Sequence, residues 1–397
     1  TYGTDFSNNI AIGYDAVSAG NSNFYRVIGI GTEAAAANTA NDQIAIGNEA
    51  MKVHTTGTGN IAIGHYAMDD TDAGSTSLGS TDNIFMGYAA GGGTWTDVAS
   101  NYNVAIGNYA MDAALDGALY NIAMGHNSLT ALTTGDANVS IGYGAGYALT
   151  TGYSNILIGR AAGDAGTDMT DTVIIGHYAG YSINTNNSNG SVLIGHYAGT
   201  SQTGGVNTFI GYDAGRRNLS GTYNTTVGYE AGMNATGSSN TFIGYQSGKG
   251  ATSAPYSSGA NNTGVGANAL AGFTTGQYNT TLGKDAGKAI TTANYNTFVG
   301  AWAGDAVTIG GYNTVLGFQA FSAASSDSDF TVAVGHQAGM AITSGDGNVI
   351  LGSYAGLTTT DVDNAVLIGR SAGQSGNMTS AADGTIAIGY QAMKVHT

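Results

Sequence analysis

The apolar residues of this chain recur in short clusters separated by polar stretches. Each cluster approximates Asn-x-x-aliphatic-Gly-x-x-Ala-Gly, and its first glycine, the pivot glycine, falls at 22 positions from Gly13 to Gly389, most often 17 residues apart. The residue before the pivot is Ile, Val, Leu or Met in all 22 copies, and the residue three after it is Ala in 20. A fixed period of this kind predicts a solenoid in which each repeat forms one coil.

Each slot of the repeat has a physical role. Asn-x-x-aliphatic predicts a short extended segment, and the pivot glycine permits a bend that a Cβ would obstruct. Equal slots of stacked coils lie one strand spacing apart, so Asn over Asn predicts an amide ladder. The polar stretch that follows predicts a turn of variable length, with protruding loops at residues 69–81 and 249–260.

The pattern therefore predicts an all-β fold, a β-solenoid or β-roll of about 22 coils that forms one continuous array over residues 1–397. At roughly 4.8 Å per coil, the array would be a rod on the order of 100 Å long. The segment IAIGNEAMKVHT at 44–55 is nearly repeated as IAIGYQAMKVHT at 386–397. We expect the natural array to continue beyond Thr397 as part of a longer fibre.

The strand segments are apolar on both faces. We assign the residue before the pivot to the interior, which predicts a structural core that includes Ile158, Ile175, Ile194, Ile210 and Ile243. The preceding slot, with Leu157 and Phe209, then points outward and needs cover. A second copy of the chain is the simplest cover, so we expect a parallel homo-oligomer. The alternative is a tolerated apolar stripe on the surface.

Composition narrows the possible functions. Charged residues make up 9% of the chain, against roughly 25% in an ordinary soluble domain. The net charge is −16 with only 10 Lys and Arg, which argues against nucleic acid and anionic membrane surfaces as partners. Cysteine is absent, so no disulfide or thiolate chemistry is expected. No apolar run reaches the length of a membrane span, so we expect no direct insertion into a membrane.

Candidate binding groups repeat along the chain. Five of the seven histidines occupy the slot after the pivot, which tyrosine fills in other coils. One interpretation is an exposed ladder of stacked planar side chains, and the other is a stripe that binds sugars or surfaces. The candidate contacts are Tyr212, Tyr229, Tyr245, His177 and His196. His177 and His196 could share a metal, but a catalytic or metal group would be unique rather than repeated, so we assign no catalytic, cofactor or metal residue.

Acidic and threonine residues leave two further alternatives open. Aspartates cluster in the variable loops, at Asp69, Asp70 and Asp72, at Asp168 and Asp171, at Asp327 and Asp329, and at Asp361 and Asp363. Such loops could bind Ca²⁺ or, with a carboxylate pair in a cleft, cleave a glycoside. Seven consecutive coils carry Thr three residues before the pivot, a pattern suited to ice or glycan binding. Our inward assignment of that face would hide this threonine ladder.

The repeat resembles the AIGYxA-type tandem repeats of tail-fibre-domain proteins from bacteria and phages, and the head repeats of trimeric autotransporter adhesins. The residues that carry the resemblance are NIAIGHYAM (60–68), NVAIGNYAM (103–111) and NTFIGYDAG (207–215), and the repeat covers the whole chain. The resemblance implies a β-roll, left-handed in the adhesin heads, that assembles as a parallel homotrimer and serves attachment. The chain departs from the adhesin heads in its longer period.

These observations predict a structural fibre shaft or adhesin, extracellular, at a phage tail or a microbial cell surface. We expect self-association, with a trimer favoured, and a cell-surface glycan or receptor as a further partner. We expect no enzymatic activity and no cofactor, with Ca²⁺ in the acidic loops as the alternative. The alternative function is a glycan- or ice-binding solenoid that acts through an exposed Tyr/His or Thr ladder.

Overall fold

The computed structural model describes residues 8–18, 24–71, 79–96, 98–183, 189–323, 327–374 and 378–393. The chain divides into two compact units, Thr1–Gly205 and Val206–Thr397. Each unit is a parallel β-solenoid in which every coil contributes one short strand, which confirms the predicted all-β repeat fold. The only helix among the described residues is a single 3-10 turn at Ser380–Ala382.

The strands are three or four residues long and end at the residue before the pivot glycine. The first unit contains β1 (Ile10–Ile12), β2 (Val27–Ile30), β3 (Gln43–Ile46), β4 (Ile61–Ile63), β5 (Ile84–Met86), β6 (Val104–Ile106), β7 (Ile122–Met124), β8 (Val139–Ile141), β9 (Ile156–Ile158), β10 (Val173–Ile175) and β11 (Val192–Ile194). The second unit contains β12 (Thr208–Ile210), β13 (Thr225–Val227), β14 (Thr241–Ile243), β15 (Thr263–Val265), β16 (Thr280–Leu282), β17 (Thr297–Val299), β18 (Thr314–Leu316), β19 (Val332–Val334), β20 (Val349–Leu351), β21 (Val366–Ile368) and β22 (Ile386–Ile388).

Within each unit, equal slots of neighbouring coils lie over one another. In β6 and β7, Val104 pairs with Ile122, and in β16 and β17, Thr280 pairs with Thr297. Axial hydrogen bonds continue beyond the strands, since the pivot Gly142 N–H donates to the Met124 carbonyl at 2.8 Å. Each coil is therefore held by the backbone of its neighbours, as in other repeat proteins.

The pivot glycines bring neighbouring coils into close contact. Gly142 has a φ of 140°, and a Cβ there would lie 2.5 Å from the carbonyl oxygen of Gly159 in the next coil. A side chain at this slot would therefore clash with the next backbone, in addition to adopting a φ that L residues rarely take. The sequence interpretation of this slot as a glycine-dependent bend is confirmed.

The predicted asparagine ladder is also confirmed. Asn138 donates its backbone N–H and its side-chain amide to Oδ1 of Asn121, each at 3.0 Å. The same amide donates to the Gly152 carbonyl at 2.9 Å, across the interior of the coil. Both asparagines are fully buried. The ladder satisfies polar groups that would be costly to bury unpaired, and in the coils that carry asparagine it links the strand to the variable segment.

The strands face the other way from our prediction. From β4 to β22 the middle residue of each strand, such as Leu157, points inward and is buried, whereas the terminal strand β1 is exposed throughout. The assignment of the aliphatic slot before the pivot to the interior is wrong, since it lies on the outside: Ile158, Ile175, Ile194 and Ile210 are half-buried, and Ile243 is 39% exposed. The aliphatic character of that slot does not identify the interior, because both faces of the strand are apolar. The interior slot instead varies in size, from Gly264 to Phe242.

This variation is compensated within the coil. Where the middle strand residue is small, the slot four after the pivot carries a buried side chain, as in Ala62 with Met68. Where it is large, that slot is glycine, as in Phe209 with Gly215, and a Cβ on Gly215 would lie 2.4 Å from Phe209 Cδ2. Most coils follow this rule, although Val315 and Phe321 are both large. One side chain in either slot keeps the interior close-packed.

The longer variable segment at residues 249–260 protrudes only in part. In residues 249–260, the tip at 252–255 is exposed as predicted, but Ser257 returns to the interior and donates to the Phe273 carbonyl at 2.6 Å. Most of the loop predicted at 69–81 lies outside the described residues, because these stop at Thr71 and resume at Gly79. The second MKVHT copy after Met393 and the predicted continuation of the array also lie outside them.

The compensation predicts strong coupling between Phe209 and Gly215. Phe209→Ala should destabilise by about 3–5 kcal/mol through the cavity it leaves. Gly215→Met should cost about 1–3 kcal/mol through overpacking. The double variant should recover most of both losses, because it recreates the Ala62 and Met68 pair and Met68 already adopts a φ of 51° in this slot. Guanidinium unfolding of the four proteins measures the coupling, and additive losses would contradict it.

Candidate functional surfaces

The outer sheet face consists of the strand side chains one and three residues before each pivot glycine. In the first unit both columns are aliphatic, as in Val139 with Ile141 and Ile156 with Ile158. Ile141 and Ile156 are 37% and 39% exposed. No described strand in either unit places a charged residue on this face. In the first unit this face is therefore apolar and uncharged, a surface that soluble monomers rarely expose over a large area.

In β12 to β18 of the second unit, threonine replaces the aliphatic column three residues before the pivot, and Val or Ile returns in β19 to β22. The threonines are Thr208, Thr225, Thr241, Thr263, Thr280, Thr297 and Thr314, stacked in register over β12 to β18. The last three are exposed and the others half-buried. Our expectation that this ladder points inward is wrong, because it shares the face of the residue before the pivot. It presents a regular row of hydroxyl and methyl groups to the outside.

The tyrosines after the pivot form a stacked ladder. The ring centroids of Tyr212 and Tyr229 lie 5.2 Å apart with planes 8° from parallel, and those of Tyr229 and Tyr245 lie 5.5 Å apart at 10°. Each ring covers the faces of its neighbours, so mainly edges and hydroxyl groups are presented to solvent. A sugar packs its apolar face on the face of an aromatic ring. This stacking therefore favours the structural interpretation of the ladder over the sugar-binding one.

The histidines occupy two different environments. The ring centroids of His177 and His196 lie 5.0 Å apart. Desolvation, and then the charges of His196 and Arg160, lower the pKa of His177. His54 is instead fully buried with Nδ1 2.9 Å from Thr71 Oγ1, and burial lowers its pKa. Across the part of the chain that the structure describes, no group of three His, Cys, Asp or Glu side chains could hold a metal ion.

Sequence reasoning missed a second aromatic column, five residues before the pivot. Tyr278 and Tyr295 stack at 5.0 Å and 2°, Tyr295 and Tyr312 at 4.9 Å, and Tyr312 and Phe330 at 5.0 Å. These residues have positive φ values near 60°, and the tyrosines precede the threonines of the outer face by two positions. The signal in the sequence is an aromatic residue directly before the asparagine or threonine of the ladder slot.

Stacking of the coils brings aspartates from different variable segments into one column. Asp329, Asp346, Asp363 and Asp383 form a column on successive coils. The last three carboxylates accept the backbone N–H of the preceding aspartate at 2.7, 2.8 and 2.9 Å, and Asp329 accepts that of Gly311 at 2.6 Å. These carboxylates therefore order the variable segments. Asp168 and Asp171 stay in the variable segment before β10, and Asp72 lies outside the described residues. A Ca²⁺ site in these loops stays a prediction.

Asp69 gains a partner that the sequence did not indicate. A Cβ added to Gly92 would lie 3.2 Å from Oδ1 of Asp69 and 3.0 Å from Oδ1 of Asp112. Burial raises the pKa of both carboxyl groups to about 6. For Asp69, the charges of Asp70 and Asp112 raise it further. The two half-buried carboxylates therefore lie close to the backbone of Gly92, which has no side chain to separate them.

Comparison with known proteins does not assign the chain to a family. No protein-family model matches the chain, and the search of curated proteins gave no significant match. Among the described residues, no helix has the length and apolar character needed to cross a bilayer. Function is therefore argued from the surfaces themselves.

The carboxyl pair predicts a pH-dependent gain from Asp112→Asn. A folded-state pKa of about 6 lies above the ordinary value of 3.8, so the ionised group opposes folding and this cost disappears as the pH falls below about 4. The variant should melt at a higher temperature than the wild type at pH 7.5, with the difference shrinking towards pH 4. Thermal unfolding across this range measures it, and Asp69→Asn should behave alike. A difference independent of pH would refute the assignment.

Proposed function

We propose that this chain is a non-enzymatic structural protein that self-associates through its outer sheet face and serves as the shaft or adhesive part of an extracellular attachment fibre. The observation that carries the proposal is the pair of aliphatic columns on the outside of the first unit. Such a fibre would belong to a phage tail or a microbial cell surface, as the repeat resemblance implies.

The energetics of the outer sheet face favour its burial. Fully burying one Ile or Leu side chain is worth about 1.5–3 kcal/mol, and each coil of the first unit contributes two aliphatic side chains to this face. Interfaces that are permanently assembled are larger and more apolar than transient ones. The backbone behind this face is held by axial hydrogen bonds, so little ordering is needed on association. Three copies arranged in parallel would cover the columns around one axis.

The repeated character of the other surfaces suits attachment. The aromatic and threonine columns present the same group on successive coils, so a surface contact made once can be made several times. Repetition of a weak contact raises the overall affinity without any new chemistry. An attachment fibre uses this property, whereas a catalyst needs one constellation.

Self-association can be tested with two adjacent residues of β9. Ile158→Asp places a charge on the outer face and should convert the assembly, a trimer in our proposal, into monomers that keep the wild-type circular dichroism. Leu157→Asp buries an unpaired charge in the interior and should unfold the coil at a cost of several kcal/mol. Light scattering after size exclusion measures the mass of each. A wild-type protein that is monomeric at micromolar concentration would sink the proposal.

The outward threonine column supports ice binding as a second candidate function. It offers regularly spaced hydroxyl and methyl groups on a rigid, uncharged face, a surface that can order water. Thr297→Lys should abolish inhibition of ice recrystallisation, because it places a charge in the centre of the column. Thr275→Lys, at an exposed threonine outside this face, should leave inhibition unchanged. A wild-type protein without activity in this assay removes the candidate.

A further inference from the structure

A notch interrupts one flank of the first unit. The residue two after the pivot has positive φ in every described coil and usually carries a long side chain, such as Tyr109 or Tyr178. At Gly144 this side chain is missing. The result is a cleft of about 280 Å³, which we call the Gly144 notch, lined by Asn127, Tyr143, Gly144, Tyr147 and Asp164.

The groups around the Gly144 notch are open to a ligand. Tyr147 is 46% exposed and, unlike the ladder tyrosines, contacts no other aromatic ring of the described chain, so its ring faces are open. Asp164 is half-buried and forms no ion pair or side-chain hydrogen bond within the described residues, and burial raises the pKa of its carboxyl group. Gly144 is buried and forms the floor. An aromatic face, a carboxylate and the Asn127 amide thus surround one cleft.

A second cleft lies further along the same flank. It has a volume of about 310 Å³ and is lined by Tyr178, Tyr181 and Tyr197. Tyr178 and Tyr197 are stacked with ring centroids 5.6 Å apart, and Tyr181 meets Tyr178 edge-on at 5.0 Å, so this cleft offers a ligand ring edges and hydroxyl groups, whereas the open ring face is that of Tyr147. Tyr178 occupies the column of Gly144 two coils later, and Tyr181 occupies the column of Tyr147. Two coil spacings amount to roughly 10 Å. Between the clefts, the Arg160 guanidinium lies 5.9 Å from the ring centre of Tyr143 and 5.5 Å from that of Tyr178.

We propose that this flank binds an uncharged oligosaccharide, with one sugar ring in the Gly144 notch and a following ring in the cleft at Tyr178, Tyr181 and Tyr197. A sugar offers an apolar C–H face to Tyr147 and hydroxyl groups that donate to Asp164 and exchange hydrogen bonds with Asn127. The Asp164 carboxylate disfavours a phosphate or carboxylate ligand in the notch, and the nearby Arg160 guanidinium already lies over the rings of Tyr143 and Tyr178. Each cleft has the volume of the smallest ligand sites, about 300 Å³, which suits one sugar unit.

This assignment goes beyond the proposed structural function and does not depend on self-association. The notch lies on the flank, whereas the outer sheet face consists of the strand residues. The tyrosine ladder at Tyr212, Tyr229 and Tyr245 is not part of it. Saccharide binding would supply the attachment contact that a shaft alone lacks.

The column itself suggests the variant that blocks the notch. Gly144→Tyr introduces the side chain that the same slot carries at Tyr109, Tyr178 and Tyr197, with φ values of 55–58° against 60° at Gly144. A Cβ at Gly144 would meet only Asp164 Oδ1, at an ordinary contact distance of 3.6 Å. The variant should therefore fold normally with a filled cleft. Tyr147→Ala removes the aromatic face, and Tyr295→Ala is the control, since Tyr295 is 48% exposed but stacked.

The experiment is saturation-transfer NMR on the full chain, followed by calorimetry. The probes are methyl glycosides of glucose, galactose, mannose and N-acetylglucosamine, with lactose, cellobiose and chitobiose as disaccharides and tetramethylammonium as the cation probe. We expect at least one probe to bind with a Kd on the order of 1 mM, and a disaccharide to bind more tightly. Gly144→Tyr and Tyr147→Ala should weaken binding about tenfold or more, whereas Tyr295→Ala should leave it unchanged.

Three results would overturn the assignment. The first is no signal from any of these saccharides with the wild-type protein. The second is unchanged binding by Gly144→Tyr. The third is that tetramethylammonium is the only probe that binds, which would make the notch a cation site. Light scattering on the same samples reports self-association separately, and Gly144→Tyr should keep the wild-type mass, so failure of one proposal is distinguishable from failure of the other.

Discussion

The close approach of neighbouring coils at the pivot glycine is the constraint on which the rest of each unit depends. Without a Cβ at Gly142, the carbonyl of Gly159 can sit one strand spacing away, and the axial hydrogen bonds follow. Once that spacing is fixed, every slot of the repeat lies over its equivalent. The chemistry of the surface is then organised in columns: amide inside, aliphatic or threonine outside, and aromatic along the flanks.

Much of the fold could be predicted because stacking follows from the period alone. The parallel strands, the asparagine ladder and the stacking of Tyr212 on Tyr229 need only equal slots at equal height. The direction in which each strand residue faces could not be predicted from hydrophobicity, because both faces are apolar. The decisive signal was the compensation between slots, visible in Phe209 with Gly215, which only interior residues need.

The candidate saccharide site was harder to predict, because it does not follow the period of the repeat. The repeat pattern indicates candidate groups at slots that recur, such as the tyrosines after the pivot. The Gly144 notch is instead a departure from the repeat. Its groups come from three coils, with Asn127 before Gly144 and Asp164 after it. Their convergence is evident only when the columns are known. The pairing of Asp69 with Asp112 across Gly92 was missed in the same way.

The compensation between interior slots also bears on how such an array changes over generations. The two members of each pair, such as Ala62 and Met68, are encoded six residues apart within one repeat. Unequal recombination that inserts or removes a whole repeat therefore transfers a matched pair, and the new coil fills its own interior. A recombination breakpoint between the two interior slots of a coil could instead combine two large side chains, or two small ones that leave a void in the interior. Selection on packing thus favours gene rearrangements in units of one coil, so the length of the array can drift while its cross-section stays constant.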